Sequence, residues 1–261
     1  MTLALLGGGK MGEALLAGLL RDVLSPSEVV VVEKDGARAA YLAATYGVGI
    51  GDSAAAAQAA TLILAVKPHD LETLLGKLDL TTSQLVISIA AGVSLARMQD
   101  ALPEGVPVVR CMPNTPALVG QGITAISAGR HATEEHLASA EALLGAVGKV
   151  VRVPESQLDA VTALSGSGPA YFFLFVEALI DSGVLLGLPR PLATELVVQT
   201  ALGSATMLSE TGEHPVALRE AVTSPGGTTI VGTRELEAHG VRAAVTAAVE
   251  AAARRSKELG S

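Results

Sequence analysis

The sequence predicts an α/β domain with a parallel sheet, followed by an all-helical domain. Three observations carry this expectation. Short β-branched runs alternate with Ala/Leu-rich helical stretches as far as Val153. From Pro154 onward no strand pattern appears, and helical periodicity runs to the end. A glycine-rich turn lies between the first apolar run and the first helical stretch. Strands alternating with helices of this length indicate βαβ units and a parallel sheet. The expected domains are residues 1–153 and 154–261.

The expected strands are Leu3–Leu6, Val29–Glu33, Val48–Ile50, Leu62–Val66, Leu85–Ile89, Val106–Cys111, Ile123–Ser127 and Lys149–Val153. The early ones are nearly continuous apolar runs, as expected where helices cover both faces of a sheet. Helices are expected at Lys10–Arg21, Gly36–Tyr46 and Glu134–Val147 between them. The second domain reads as helices at Gly168–Leu186, Pro189–Glu210, Pro215–Val222, Thr229–Ala238 and Val241–Leu259. Proline near several helix starts, and Gly187 as a C-cap, punctuate that series.

Composition narrows the function classes. Of 261 residues, 49% are apolar, yet there are only three Phe, three Tyr and no Trp. Small side chains favour close helix contacts, and the shortage of aromatics argues against single-stranded nucleic-acid binding. The net charge of −8, with scattered Lys and Arg, makes any nucleic-acid partner an unexpected one. The single cysteine, Cys111, allows no intrachain disulfide and fits a reducing, cytoplasmic setting. The N-terminus enters a strand without a signal-peptide pattern. The most apolar segment, Ala170–Leu188, carries Glu177 and Asp181 and reads as a buried helix, with no membrane association expected.

The strongest local signal is Gly7-Gly8-Gly9-Lys10-Met11-Gly12, between a strand and a helix. Gly7 permits a tight turn, Gly9 lets the backbone approach a pyrophosphate, and Gly12 allows close helix–sheet packing. The following helix N-terminus offers unpaired N–H groups to phosphates. Glu33 ends the second strand, about twenty residues past Gly12, where a carboxylate accepts from ribose hydroxyls. The first domain is therefore expected to be a Rossmann-type dinucleotide-binding domain. Glu33 favours NADH, while Lys34 and Arg38 offset its charge, so the choice between NADPH and NADH stays open.

Ala65-Val66-Lys67-Pro68 ends the fourth expected strand and should border the cofactor. Lys67 is either a ribose or phosphate contact or a solvated lysine before a helix. Ser88-Ile89-Ala90-Ala91-Gly92 supplies small residues where a nicotinamide needs room, Ala90 among them. Three further Gly/Pro-punctuated polar segments lie in apolar surroundings: Arg110–Pro116, which includes Asn114, Thr162–Tyr171 and Thr223–Thr229. The last two precede helices, so each is either an ordinary helix-initiating turn or a site for a small carboxylate. No group of histidines, cysteines and carboxylates has metal-like spacing, and no metal is expected.

Taken together, Gly7–Gly12, Ala65–Pro68, Arg110–Pro116, Ser165–Tyr171 and Ser224–Thr229 resemble the pyrroline-5-carboxylate reductase family across essentially the whole chain. The most specific part is Leu218–Glu237, around the Pro-Gly-Gly turn. The resemblance implies hydride delivery from NADPH or NADH to the C=N carbon of Δ1-pyrroline-5-carboxylate, giving L-proline. It implies that Ser224, Gly226, Gly227, Thr228 and Thr229 hold the substrate carboxylate, and that Thr162 lies beside the ring nitrogen. It further implies a helical domain that forms dimers, or rings of dimers, by interleaving helices. One departure is Asp52, where the family often has an Asn contacting the cofactor ribose.

Such a reaction asks the protein mainly for orientation and electrostatics, because the hydride chemistry belongs to the cofactor. The nearest alternative is a related imine or hydroxy-acid dehydrogenase. The latter would normally place a Lys or His proton carrier where this chain has Ser, Thr, Gly and Pro. A non-catalytic dinucleotide sensor is the alternative from another class.

Overall fold

The structure is a computed structural model and describes residues 3–260. Eight strands form one sheet: β1 (Leu3–Leu6), β2 (Val29–Val32), β3 (Gly49–Ile50), β4 (Thr61–Leu64), β5 (Leu85–Ser88), β6 (Val108–Met112), β7 (Gly122–Ala128) and β8 (Gly148–Arg152). Helices α1 (Lys10–Asp22), α2 (Gly36–Tyr46), α3 (Ser53–Ala56), α4 (Pro68–Leu75), α5 (Leu95–Asp100) and α6 (Glu134–Leu144) connect them. Then come α7 (Leu158–Val161), α8 (Gly168–Leu185), α9 (Arg190–Thr211), α10 (Pro215–Ala221), α11 (Thr228–Ala238) and α12 (Val241–Gly260).

The strand order is β3-β2-β1-β4-β5-β6-β7-β8. Strands β3 to β6 of that order run parallel, as do β7 and β8, but β6 and β7 are antiparallel. The alternating sequence pattern predicts a wholly parallel sheet, and this pair departs from it. The short Pro113–Gln121 connection holds only a five-residue 3-10 helix, Thr115–Val119, and a parallel neighbour requires a longer crossover. Side-chain alternation divides the core between two faces. Leu3 and Leu5 join Leu15, Leu19, Val31 and Ile63 on one side, while Ala4 and Leu6 join Val30, Leu62, Leu64 and Val86 on the other. A central strand covered on both faces explains why β1 is apolar at every position.

By its contacts the chain divides into two compact units. One comprises the residues up to Ser167 together with those from Ala251 onward; the other is Gly168–Glu250. The 153/154 position suggested by the change in sequence pattern thus falls inside the first unit. That unit includes α7, a π-helical segment Thr162–Gly166, and the end of α12.

In the second unit α8 packs on α9, where a Cβ on Gly183 would lie 3.0 Å from the Ala193 Cβ. Gly187, at φ +95°, closes α8 as a left-handed C-cap residue, and Leu188 N–H donates to Gly183 O at 3.1 Å. No residue of α8 is buried. All three Phe of the chain, Phe172, Phe173 and Phe175, are exposed on it. By length and composition the helical run Glu155–Leu185 is apolar enough to cross a membrane. The expectation of a buried helix there is not met within one chain, so this apolar surface calls for a covering partner.

Candidate active site

The strand order reverses between β1 and β4, and a cleft of about 600 Å³ opens beyond their C-terminal ends. Gly7, Gly9, Glu33, Lys34, Asp52, Ala65, Val66 and Lys67 all line it. Each glycine of the first turn has a separate steric reason. Gly7 sits at φ +104°, and a Cβ there would come within 2.6 Å of Ala65 O. A Cβ on Gly12 would lie 2.1 Å from Gly7 O, whereas one on Gly9 would meet open space. The open side of Gly9 begins α1, whose first N–H groups lack intrahelical partners, so the backbone is accessible to a pyrophosphate. The loop therefore fits a dinucleotide on its own geometry.

The turn is held from both sides at Gly8. Its N–H donates to Glu33 Oε2 at 2.7 Å, and its carbonyl accepts from Arg38 Nε at 2.6 Å. The other Glu33 oxygen accepts from Asp35 N–H at 2.9 Å. Arg38 is also paired with Glu13 in the first turn of α1, and it lies 5.0 Å from the centroid of the Tyr41 ring. Tyr46 donates its hydroxyl to Glu13 at 3.0 Å. The Arg38 hydrogen bond holds the Glu13 carboxyl below its usual range, and burial raises the Tyr46 phenol. A carboxylate in the first turn of α1 is thus neutralised by Arg38. The sequence offers Arg38 only as a counter-charge to Glu33; its coupling to the loop is visible in the tertiary contacts alone.

The rim of the cleft mixes charges, with Lys34, Lys67 and Lys77 facing Glu33, Asp52 and Asp70. Lys34 Nζ lies 2.9 Å from Asp70 Oδ2, joining the turn after β2 to the first turn of α4. The hydrogen bond from Lys34 lowers the Asp70 carboxyl. Asp52 caps α3 by accepting from Ala55 N–H at 2.9 Å while still lining the cleft. Pro68 opens α4 behind Lys67. His69 lines the rim with its side chain mostly exposed. Gly51, Ser53, Asp70, Thr73 and Lys77 are lining residues that carry no motif in the sequence.

A second cavity of about 300 Å³ shares Ala65 and Val66 with the first. Met11, Ala90, Asn114 and Gly166 also line it. Asn114 is buried, and its Oδ1 accepts from Ile123 N–H at 2.9 Å, which ties the loop after β6 to β7. Lys10 opens α1 without lining either cavity. Gly166 ends the π-helical segment that Thr162 begins, and Thr162 Oγ1 donates to Leu158 O at 2.8 Å. Cys111 is buried, and burial pushes its thiol up, so it packs rather than reacts.

In the second unit, Ser224, Gly226 and Gly227 form the turn before α11, which begins at Thr228 and Thr229. Gly226 has φ +69°, and Gly227 N–H donates to Ser224 O at 3.1 Å. No side chain caps this helix start among the described residues, so its first N–H groups remain accessible to an anion.

Comparison with known proteins decides the family. Residues 155–259 match the family model described as pyrroline-5-carboxylate reductase dimerisation. Residues 2–92 match the model described as NADP oxidoreductase, coenzyme F420-dependent. A pyrroline-5-carboxylate reductase of Synechocystis is 50% identical over 264 residues, covering 100% of this chain and 98% of the relative. The chain belongs to the pyrroline-5-carboxylate reductase family. The Mycobacterium tuberculosis member is 48% identical over 283 residues, covering 98% and 96%. The pyrroline-5-carboxylate reductase structure from Coxiella burnetii superposes with a TM-score of 0.94 at 36% identity, covering 100% and 98%. The Plasmodium falciparum enzyme, solved with NADP bound, superposes with a TM-score of 0.90 at 30% identity, covering 100% and 98%. A reductase fold of this kind is an N-terminal Rossmann-type domain followed by a helical dimerisation domain, as the sequence pattern predicts.

Proposed function

We propose that this chain is a pyrroline-5-carboxylate reductase, an oxidoreductase that converts Δ1-pyrroline-5-carboxylate to L-proline with NADPH or NADH. The observation that carries this reading is identity near one half to reductases over the full chain, combined with a Gly7–Gly12 cleft that fits a dinucleotide. When bound, the cofactor would supply a hydride to the C=N carbon of the iminium, whose nitrogen takes its proton from solvent beforehand.

The chain's own residues do the rest. Gly7, Gly8, Gly9, Lys10, Met11 and Gly12 turn the backbone so that α1 presents its N–H groups to the pyrophosphate. Glu33, Lys34 and Asp52 border the adenosine end, with Ala65, Val66 and Lys67 along the floor and Pro68 opening α4 behind them. Ala90 and Asn114 leave room in the smaller cavity for the nicotinamide ring. Thr162 carries a hydroxyl suited to the ring nitrogen as it becomes an amine. The Ser224–Thr229 turn offers N–H groups and hydroxyls to the substrate carboxylate.

The exposed face of α8 is read as a subunit interface within a dimer, or a ring of dimers, and not as a membrane span. The dimerisation model matching residues 155–259 supports that reading. Neither a nucleic-acid nor a membrane partner is proposed, and the place of action is the cytoplasm. The test is the loss of NADPH and of NADH absorbance with purified protein and Δ1-pyrroline-5-carboxylate, each cofactor assayed alone. Turnover with at least one cofactor supports the reading; binding of a cofactor without turnover points to the sensor alternative.

A further inference from the structure

The C-terminal half of α12, from Ala251 onward, belongs to the first unit. Two contacts fix it there. Ser256, almost fully buried, donates its hydroxyl to Asp159 Oδ1 at 2.7 Å. One turn further on, the backbone of Leu259 and Gly260 lies against Gly92. Gly92 adopts φ +76°, and a Cβ on it would come within 3.3 Å of Leu259 O. A Cβ on Gly260 would lie 2.9 Å from Gly92 O. Ser256 and Gly260 are four residues apart, so one helix face makes both contacts.

The two points touched are the supports of two cavity walls. Asp159 is on α7, one turn before Thr162 and the segment that ends at Gly166. Gly92 closes the loop after β5, whose Ile89, Ala90 and Ala91 line the smaller cavity together with Gly166. No sheet hydrogen bond joins Ala90–Gly92 to the Thr162–Gly166 segment among the described residues. The end of α12 touches the supports of both.

We infer that Ser256 and Gly260 are positioning residues, which set the spacing between the Ala90–Gly92 loop and the Thr162–Gly166 segment. This rests on the reading above, in which those walls flank the nicotinamide and the imine. The hydroxyl–carboxylate bond is of the charge-assisted kind, stronger and more directional than a neutral one. The Gly92–Gly260 approach is backbone against backbone, so a side chain at either position displaces the loop instead of being absorbed by a rotamer. The contacts act on the hydride-transfer end of the site and leave the adenosine end, beyond β1 and β2, untouched.

The test uses the full-length protein with Ser256→Ala, Ser256→Thr and Gly260→Val. Ser256→Ala and Gly260→Val should each lower kcat about tenfold, because small misplacements of reacting groups cost that much or more. The dissociation constant for NADPH, measured by fluorescence, should stay within about twofold, since the phosphate and adenosine contacts are elsewhere. Ser256→Thr, which keeps the hydroxyl, should restore kcat. In protein without cofactor, amide exchange at Ala90–Val93 should quicken in Ser256→Ala and Gly260→Val while the central strands stay protected. Unchanged kcat and unchanged exchange at that loop would overturn the inference, as would faster exchange spread evenly across the sheet, the mark of a purely structural role. If Ser256→Ala does not fold, Gly260→Val alone decides, since it leaves the Asp159 bond in place. Absence of turnover in the unmodified protein would remove the functional reading, whereas the exchange measurement tests the brace independently.

Discussion

The carboxylate of Glu33 accepts the Gly8 N–H at 2.7 Å, so the residue that follows β2 also anchors the glycine turn. A carboxylate has about four acceptor positions, and the turn occupies one on each oxygen through Gly8 and Asp35. Glu33 therefore anchors the turn while lining the cleft, where the proposed function gives it a ribose to contact. Glu33→Ala removes both and should weaken NADPH and NADH alike, by about tenfold for the loss of one such hydrogen bond. Glu33→Gln keeps an acceptor for Gly8 but removes the charge, and should raise the kcat/KM ratio of NADPH over NADH. Measuring that ratio in both variants separates the roles; an unchanged ratio in Glu33→Gln would mean the charge does not select.

The Lys34–Asp70 pair spans the cleft mouth at 2.9 Å, with Lys34 exposed and Asp70 partly so. Exposed pairs hold weakly, so an added phosphate can compete for the ammonium. Asp70→Asn should shift preference toward NADPH about threefold or more, and Lys34→Ala should shift it toward NADH. The shifts should shrink as salt is raised from low to near-molar, which steady-state kinetics at several ionic strengths would reveal.

Glu13, Arg38 and Tyr46 carry a pH signature. The Glu13 carboxyl lies below its ordinary 4.5 in the folded chain, chiefly through the Arg38 hydrogen bond. A depressed folded value contributes stability above the unfolded value, and that stability is lost as pH falls through the folded one. Urea midpoints should therefore show Glu13→Gln less stable than the parent by about 1 kcal/mol near neutrality. The gap should narrow below about pH 4.5, with Arg38 and the Tyr46 phenol, both raised, unchanged in charge across that window. A gap independent of pH would mean that packing, and not the ion pair, accounts for the loss.

In the second unit, Phe173 and Leu174 are 62% and 67% exposed on α8, which identifies a face to be covered by association. Phe173→Glu should shift the sedimentation of the protein toward the monomer at micromolar concentration. Retention of the parent's assembly state would move the interface off this face.

The proposed carboxylate turn, Ser224–Thr229, makes the most direct kinetic claim. Ser224→Ala together with Thr229→Ala should raise the KM for the imine substrate by about tenfold or more and leave the cofactor KM nearly unchanged. An equal rise in both constants would place the turn elsewhere in function.

Much of this protein is legible from residues alone because the signals are local. A glycine turn between an apolar run and a helix can be read without neighbours, since Gly7 and Gly12 are required by backbone crowding within a few residues and one adjacent strand. Hydrophobic patterning likewise marks all eight strands to within a residue or two, because burial on two faces leaves no polar position in β1 and only Ser88 in β5. The tertiary structure alone decided what depends on residues far apart in the chain. The β6–β7 reversal follows from a connection that folds into one short 3-10 helix, Thr115–Val119, too short for a crossover. The Gly8 clamp joins residues 25 and 30 positions apart, and the Ser256–Asp159 bond joins residues 97 apart. Such pairs leave no periodic trace, because a hydrogen bond constrains two side chains in space and nothing about the residues between them.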